Sequence, residues 1–380
     1  MEKILKLSGN IDSNNITEIE NKILEDIKDY TGEIIFDATD LKYISSAGLR
    51  MILRVKKLNN QTKIINCSGE VYNIFEMTGF SEMMDISKAI RTISLDNCTL
   101  IGDGFYGKVY RINPETIVKV YKKKDCLDMV KREKELSRKA FVLGIPTAIP
   151  YEIVKVGDNY GAIFELLDCK TLDKLIQEGE DIENLAKECV KILKKMHTTE
   201  MDKDKLTNRK DQIIEWATSC KEYLSEETEK NLLTFINNIE DANTMIHGDF
   251  HIKNLMKQNN EILLIDMDTL SYGNPIFEFG AMYATYVAFA CVNQNNTQEF
   301  LGITKEQSEK MWECIFNDYY IDKSDKEKEE LLKKIKIFSY LEVLYLRSIY
   351  NDENNKYRDK EIEFSKDYIT NNIKELVTSK

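Results

Sequence analysis

Three polar residues, Asp249, Asn254 and Asp266, have the side-chain types that phosphoryl transfer requires. The first two lie in the segment His-Gly-Asp-Phe-His-Ile-Lys-Asn at 247–254, and Asp266 follows the apolar run 261–265. Phosphoryl transfer needs a carboxylate that receives the proton of an acceptor hydroxyl, and Asp249 suits this role. It also needs oxygen ligands for Mg²⁺, which the amide of Asn254 and the carboxylate of Asp266 can supply. The pattern predicts a turn between two core segments that carries a catalytic base and a metal site.

Two other interpretations of this segment have to be weighed. His247 and His251 are two of the three histidines in the chain, which raises the alternative of a zinc site. A closed zinc site takes four ligands, but no further histidine lies nearby and the nearest cysteine is distant in sequence. The remaining alternative is that the polar residues are only hydrogen-bonded turn residues.

A glycine-rich segment lies well upstream of this turn. Gly102, Gly104 and Gly107 have the spacing GxGxxG, and with Lys108 they nearly complete a Walker A pattern. That pattern requires Ser or Thr where this chain has Val109, and then a helix where the chain has strand-like residues. The segment therefore predicts a glycine-rich hairpin over nucleotide phosphates, with an ordinary hairpin as the alternative.

A lysine interrupts the apolar strand that follows. Lys119 lies within 117–121, where an unpaired ammonium would be costly, so a phosphate or a carboxylate must meet it. The helical segment 127–141 offers Glu133 and Glu135. Of the two, Glu133 has the better spacing to Gly144 and the prolines that follow it. The alternative is an edge-strand lysine that reaches solvent.

Composition limits the fold class, the partners and the compartment. A chain of 380 residues predicts two or three domains, and a net charge of −12 does not suit non-specific nucleic-acid binding. Eight scattered cysteines without CxxC spacing, and a charged N-terminus unlike a signal peptide, indicate a reducing cytoplasm. The longest apolar run, 280–292, is too short for a bilayer span and predicts a buried helix, so no membrane segment is expected.

The first 92 residues alternate between strand and helix patterns and predict a compact α/β unit. Strands are predicted at 3–7, 33–37 and 63–67, and helices at 12–29, 45–58 and 69–77. From residue 172 onward the chain is predicted to be mainly helical, with helices at 183–197, 211–239, 303–320 and 326–349.

The segment Asp-Ala-Thr-Asp-Leu-Lys-Tyr-Ile-Ser-Ser-Ala-Gly-Leu at 37–49, with Thr-Gly-Phe at 78–80, resembles the STAS domain of anti-sigma factor antagonists. In that family a partner kinase phosphorylates the serine that Ser46 matches, so the resemblance implies a regulatory phosphosite. The family often has Asp before this serine, whereas this chain has Ser45. The alternative role for Ser46 is a helix N-cap.

The order of glycine loop, strand lysine, helix glutamate, HGDxHxxN and IDxD resembles the aminoglycoside phosphotransferase and choline kinase family over about residues 95–380. The resemblance implies an α+β bilobal, protein-kinase-like fold with a sheet-based lobe at about 95–165, a large helical C-terminal lobe at about 166–380, and ATP between them. By matching position, Asp249 is the catalytic base, Asn254 and Asp266 bind Mg²⁺, Lys119 contacts ATP phosphates, and Glu133 orients Lys119.

The same resemblance compares residues 162–167 with the hinge whose backbone contacts adenine. Glu165 is then a nucleotide-binding residue or only a solvated boundary residue. Asp268 is either an additional metal ligand or a surface or capping residue. Glu278 stands where the family usually has Asp, and no Ala-Pro-Glu follows, which argues against an ordinary protein kinase.

The sequence thus predicts a STAS domain at 1–92 and a kinase-like domain at 93–380. The predicted function is ATP- and Mg²⁺-dependent phosphate transfer to a hydroxyl of a small molecule, with the STAS domain regulating or binding a protein partner. The alternative is a signalling protein whose kinase-like domain binds nucleotide or phosphorylates a protein serine. A kinase fold without activity is a third possibility, disfavoured because every required polar position is filled.

Overall fold

The computed structural model describes residues 2–104, 106–203, 206–259, 261–350 and 355–378. The chain divides into one unit of residues 1–94 with 153–158 and a second unit of residues 95–152 with 159–380. Residues 351–354 and 379–380, which the sequence assigned to the helical lobe, lie outside the described residues.

The first unit is built on a four-stranded parallel sheet with the order β1-β2-β3-β4. Ile34, Ile35 and Phe36 are consecutive and all buried, as expected for a strand that is covered on both faces of a parallel sheet. The predicted α/β fold of this unit is confirmed. Its elements are β1 Glu2–Ile11, α1 Ile16–Asp26, β2 Glu33–Ile44, α2 Ser46–Leu58, β3 Thr62–Cys67, α3 Gly69–Met77, α4 Phe80–Met83, β4 Ile86–Lys88 and β5 Arg91–Thr92.

Two boundaries in this unit differ from the sequence prediction. Strand β2 continues to Ile44, because its register against β1 shifts beyond Lys6 and keeps Leu41 and Ile44 buried. Helix α2 is capped by Ser45, whose hydroxyl accepts the Gly48 N–H at 3.4 Å. Ser46 is therefore the first residue of the helix, and the alternative that Ser46 is the N-cap is wrong.

The second unit begins with an antiparallel sheet in which β10, β8, β7 and β6 lie side by side in that order, and α5 follows β8 in the chain. Residues of β9 pair with β5, both within the first unit. The bounds are β6 Thr99–Asp103, β7 Gly107–Arg111, β8 Thr116–Tyr121, α5 Leu127–Val142, β9 Pro150–Val156 and β10 Asn159–Glu165.

The remainder of the second unit is mainly helical and encloses a large apolar core. Its strands are β11 Lys170–Thr171, β12 Thr244–Ile246, β13 Leu255–Gln258, β14 Glu261–Leu264 and β15 Ser271–Gly273. Its α-helices are α6 Leu172–Gln177, α7 Ile182–Thr198, α8 Arg209–Ser219, α9 Glu226–Asn237, α10 Ile276–Tyr283, α11 Asn296–Phe300, α12 Lys305–Tyr319, α13 Asp325–Ile349 and α14 Arg358–Thr378. The predicted kinase-like arrangement of a sheet followed by a helical region is confirmed.

Capping decides where several of these helices begin. Thr304 with Gln307, and Ser324 with Glu327, form capping boxes at the starts of α12 and α13. The single helix predicted at 211–239 is wrong, because Ser225 accepts the Thr228 N–H and starts a separate helix, α9. In the described part of the chain, no helix is both long enough and apolar enough to span a membrane.

Candidate active site

Lys119 lies at the centre of a cluster of charged side chains in the second unit. Its strand, β8, is an interior strand, since Lys119 is opposite Val109 on β7 and Ala162 on β10. The Lys119 Nζ atom lies 2.9 Å from Glu133 Oε1 and 2.8 Å from Asp266 Oδ1, and its side chain is 13% exposed. The alternative of an edge lysine that reaches solvent is therefore wrong.

The contacts of Glu133 explain why α5 can place a carboxylate here. Its side chain is 3% exposed, and both of its oxygens accept hydrogen bonds from Lys119. The hydroxyl of buried Tyr121 also donates to Glu133. Glu135, the other candidate, instead pairs with Lys139 four residues later on the same helix. Burial by itself would lower the pKa of Lys119, but the charges of Glu133 and Asp266 outweigh that effect. The net pKa of Lys119 is raised above its ordinary value, so the ammonium remains protonated.

The glycine segment forms the hairpin that its sequence predicts. Strands β6 and β7 are antiparallel, and the Gly104 N–H donates to the Gly107 carbonyl at 2.9 Å. A Cβ atom on Gly107 would lie 2.7 Å from the Val120 carbonyl oxygen, so only glycine fits against the neighbouring strand. Because a strand and not a helix follows the glycines, the structure agrees with the hairpin interpretation over the Walker A one.

A cavity of about 590 Å³ opens between the hairpin and the charged cluster. Gly102, Lys119, Glu133, Glu165 and Asp266 all line it. The rest of its wall is largely apolar and includes Val109, Ile117, Phe164, Leu167, Met256 and Ile265. One end of this cavity can hold a flat apolar ring, and the end at Lys119 can hold negative charge.

Glu165 lies at the last position of β10, at the edge of the cavity. Its backbone N–H donates to the Ile149 carbonyl at 2.9 Å, and its carboxylate accepts the Ile149 N–H at 3.3 Å. The side chain is thus occupied within the protein, and any contact to a ligand here would come from the neighbouring backbone.

Asp249, Asn254 and Asp266 are brought together by two short strand pairs. β12 pairs with β15 and leads into the segment 247–254, while β13 pairs with β14, which ends just before Asp266. The Asn254 Nδ2 atom donates to the Asp249 carboxylate at 2.9 Å and to its backbone carbonyl at 3.0 Å. Asp266 has a left-handed backbone, with φ 63°, as it leaves the strand. Because Asn254 donates through Nδ2, its amide oxygen is the atom that could serve as an acceptor.

The Asp249 carboxylate is 42% exposed and also lies 3.2 Å from His251 Nε2. Burial of the group would raise its pKa, but the charge of His251 and the hydrogen bonds from His251 and Asn254 outweigh that effect and lower it. Asp249 is therefore ionised at neutral pH and can accept a hydrogen bond from a hydroxyl.

The loop that carries Asp249 is held by side chains from distant helices. The fully buried Glu278 carboxylate on α10 accepts the N–H of His247 at 2.6 Å and that of Gly248 at 2.9 Å. The Tyr286 hydroxyl accepts the Ile252 N–H at 3.0 Å from a π-helical turn after α10. Gly248 has φ +85°, and a Cβ there would lie 3.1 Å from the Thr269 carbonyl.

The donor set at the charged cluster suits a divalent cation that is shared with phosphate. Among the described residues there is no group of three or more His, Cys, Asp or Glu side chains that could by themselves hold a metal. Mg²⁺ at kinase sites typically takes only one or two carboxylates, with phosphates and water completing its shell. Burial, together with the nearby charge of Asp266, raises the pKa of Asp268 to about 8, because a second negative charge beside Asp266 is unfavourable. Asp266 and Asn254 have the oxygen donors that a Mg²⁺ ion shared with phosphate would take.

Two family models match different parts of this chain. The sequence model described as "Phosphotransferase enzyme family" matches residues 97–301, more than half of the chain. The chain belongs to the phosphotransferase enzyme family. Residues 2–93 match the STAS domain model, so this phosphotransferase carries a STAS domain at its N-terminus, as predicted. No curated protein sequence matches the chain.

Solved structures with a similar fold include two aminoglycoside phosphotransferases. A thermostable mutant of APH(4)-Ia in a ternary complex with ADP and hygromycin B has a TM-score of 0.51 at 11% identity, covering 75% of this chain and 95% of that chain. The GDP complex of a mutant aminoglycoside 2'-phosphotransferase-IIIa has a TM-score of 0.50 at 13% identity, covering 80% and 98% of the two chains. At these identities the comparison establishes the fold of the phosphotransferase.

Sequence reasoning missed the residues that hold the loop of the phosphotransferase. In the sequence, Glu278 is only a departure from the family pattern and Tyr286 is only part of a predicted buried helix. Their only sequence signals are a carboxylate two residues before the apolar run 280–292 and a tyrosine hydroxyl within it. A carboxylate beside such a run must be paired once it is buried.

Proposed function

We propose that this phosphotransferase transfers the γ-phosphate of ATP to a hydroxyl of a small molecule in a Mg²⁺-dependent reaction. The observation that carries the proposal is the cluster in which Lys119 Nζ lies within 3 Å of both Glu133 and Asp266 at one end of the cavity. A buried cation whose two partners come from a helix and from the end of a strand is suited to orient the phosphates of a nucleotide. The complexes with ADP and with GDP of structurally similar proteins are consistent with this assignment.

Each predicted site residue then has a role in the reaction. Lys119 contacts the phosphates and is oriented by Glu133, while Gly102, Gly104 and Gly107 let the hairpin backbone approach them. Asp266 and Asn254 would hold Mg²⁺, which neutralises phosphate charge when bound. The apolar wall takes the base, beside the backbone that follows Glu165.

Asp249 acts on the acceptor and not on the nucleotide. Its ionised carboxylate accepts the hydrogen bond of the attacking hydroxyl and receives the proton as the phosphate is transferred. The hydrogen bonds from Asn254 fix the orientation of the carboxylate, so positioning supplies much of the rate enhancement.

The proposal is tested by incubating the full chain with ATP, Mg²⁺ and a library of hydroxyl-bearing small molecules, and measuring ATP consumption. A compound that is consumed by the wild type should not be consumed by Asp249→Asn, although this variant should bind ATP as tightly as the wild type. Asp367→Asn removes a carboxylate from an exposed position on α14 and serves as the matched control. An Asp249→Asn variant that turns over normally, or a wild type that binds no ATP, would refute the assignment.

We also propose that the STAS domain regulates the chain or binds a protein partner through Ser46. Ser46 is exposed at the first position of α2, where backbone N–H groups and the helix dipole favour an added phosphate. Because Ser45 provides the cap, modification of Ser46 would not remove it. The added charge of nearly −2 would alter any surface that docks there.

Intact-mass spectrometry after incubation with ATP and Mg²⁺ tests whether the chain itself modifies Ser46. A phosphate that is found in the wild type but not in Ser46→Ala or Asp249→Asn would favour the protein-serine alternative to the small-molecule acceptor. Ser45→Ala is the control: it should keep the modification but destabilise the first unit by about 1 kcal/mol through loss of the cap. An unchanged mass in all variants excludes self-modification and leaves modification by a partner kinase to be tested.

A further inference from the structure

Asp173 is a buried carboxylate that the proposed reaction does not yet use. Its side chain is 3% exposed, and within the described residues its Oδ1 atom has no hydrogen-bond partner. Asp173 nevertheless lines the cavity of about 590 Å³ that also contains Lys119 and Asp266. A buried carboxylate oxygen without a partner costs free energy, which a ligand that donates a hydrogen bond would recover.

Hydrogen bonds of the neighbouring residues fix the position of Asp173. Helix α6 starts where the Leu172 N–H donates to the Ile252 carbonyl at 3.1 Å, and the preceding Thr171 pairs with Met256 of β13. On the other side, Gln177 Nε2 donates to the Gly302 carbonyl at 2.8 Å. The carboxylate is thus fixed between the strand that contributes Met256 to the apolar wall and the loop that contains Gly302.

The cations that line this end of the cavity have other acceptors. Lys174 Nζ donates to Gln177 Oε1 at 3.4 Å, and Lys253 Nζ donates to the Phe300 carbonyl at 2.9 Å. Neither contact involves Asp173. The Oδ1 atom of Asp173 is therefore available to a ligand that donates a hydrogen bond.

The chemistry of a nucleotide leaves one part that fits this carboxylate. Ionised phosphates have no hydrogen to donate to Asp173 and carry the same sign of charge, and the proposed function assigns them to Lys119. The base fits the apolar wall formed by residues such as Phe164 and Ile265. The ribose is uncharged and offers two adjacent hydroxyl donors, which a carboxylate accepts well. The proposed function places the reacting hydroxyl of the acceptor at Asp249, which is not among the described residues that line this cavity.

We infer that Asp173 binds the ribose hydroxyls of the nucleotide and makes the enzyme select ribonucleotides over deoxyribonucleotides. This inference rests on the proposed use of a nucleotide as phosphate donor. It assigns the buried Oδ1 atom to the 2'- or the 3'-hydroxyl, so the oxygen that has no partner among the described residues becomes paired in the complex.

Isothermal titration calorimetry of the full chain in the presence of Mg²⁺ tests this directly, with ADP, 2'-deoxy-ADP and 3'-deoxy-ADP as ligands and no turnover. The wild type should bind at least one deoxy analogue more weakly than ADP, on the order of 10- to 100-fold, because a buried charged acceptor is then left unpaired. In Asp173→Ala, ADP should bind more weakly and the difference between ADP and that analogue should largely disappear. This loss of coupling identifies a direct contact.

Two controls separate recognition from folding. Asp173→Asn retains the shape of the side chain, and its unfolding temperature without nucleotide should not fall below that of the wild type, since no partner of Oδ1 is lost. Asp168→Asn changes an exposed carboxylate outside the cavity lining and should leave the preference for ADP intact.

Three outcomes of the titrations would contradict the inference. Equal binding of the three ligands by the wild type would overturn the role of Asp173 and leave the nucleotide-dependent function standing. If Asp173→Ala and Asp173→Asn both keep the wild-type preference for ADP over the deoxy analogue, the ribose is recognised elsewhere. Absence of binding for all three ligands would overturn this inference together with the proposed function.

Discussion

Replacing Glu278 by Gln tests whether this carboxylate holds the loop that carries Asp249. Glu278 is fully buried and accepts two backbone N–H groups, from His247 at 2.6 Å and from Gly248 at 2.9 Å. A glutamine has the same shape but only one acceptor oxygen, and its NH₂ group would face the second N–H. The substitution therefore removes one hydrogen bond and weakens the other, with almost no change in volume.

The expected loss follows from these two contacts. A hydrogen bond to a charged group contributes about 1.5–3 kcal/mol, and a neutral one contributes about 1 kcal/mol. The variant loses one hydrogen bond to a charged group and replaces the other by a neutral one. The free energy of unfolding of the second unit should therefore fall by about 2–5 kcal/mol at pH 7. Glu309→Gln, which breaks an exposed ion pair with Lys305, should cost less than about 1 kcal/mol and is the matched control.

Urea unfolding followed by tryptophan fluorescence measures this loss. The chain has two tryptophans, Trp216 and Trp312, and both lie in the second unit, so the signal reports that unit. A stability within about 0.5 kcal/mol of the wild type at pH 7, the range of ordinary surface substitutions, would refute the reasoning.

The pH dependence of the Glu278→Gln difference provides a second check. Burial of Glu278 would raise its pKa, but hydrogen bonds and the charges of His197 and His247 hold it below the ordinary value of 4.5. An acid with a lowered pKa in the folded state contributes stability above its unfolded pKa and loses it as the pH falls through the folded pKa. The difference between wild type and variant should therefore be full above pH 4.5 and shrink below it. A difference that does not vary with pH would show that Glu278 acts through packing and not through charge.

Three further changes test other parts of the site. Asp266→Ala should abolish turnover and the enhancement of ATP binding by Mg²⁺, because the neutral amide of Asn254 cannot replace the carboxylate. If calorimetry shows that Mg²⁺ still enhances ATP binding by the variant, Asp266 is not a metal ligand. Tyr286→Phe leaves the buried Ile252 N–H without its acceptor and should destabilise the second unit by about 1–3 kcal/mol in urea unfolding, whereas an unchanged midpoint would mean that the contact is dispensable. Burial of Glu342, only partly offset by the charge of Arg209, raises the pKa of its carboxyl from 4.5 to about 7. Between pH 4.5 and about 7 the folded state therefore keeps a proton that the unfolded state has lost, and stability falls as the pH rises. Glu342→Gln should remove that fall and be more stable than the wild type at pH 8 but not at pH 4; parallel curves for the two proteins would contradict it.

The sequence by itself determined the fold class and indicated the chemistry that we propose for the site. The alternation of strand and helix patterns in the first 92 residues, and the glycine loop, strand lysine and HGDxHxxN segment after it, are local patterns. Local patterns can be recognised from sequence because the hydrophobic period, the turn residues and the motif spacing all lie within a few residues of each other. The positions of Lys119, Asp249 and Asp266 relative to their strands were predicted in the same way.

Only the tertiary structure decided which distant groups meet. The choice between Glu133 and Glu135 depends on which face of α5 packs against β8, and both fit a helix in sequence. Glu278 reaches the loop at 247–254 from α10, about 30 residues later in the chain. The unpaired oxygen of Asp173 is evident only when the cavity has formed around it. Contacts of this kind arise from the packing of the whole unit, and because a buried charge must find a partner wherever packing places it, the sequence signals that a partner exists without indicating which residue it is.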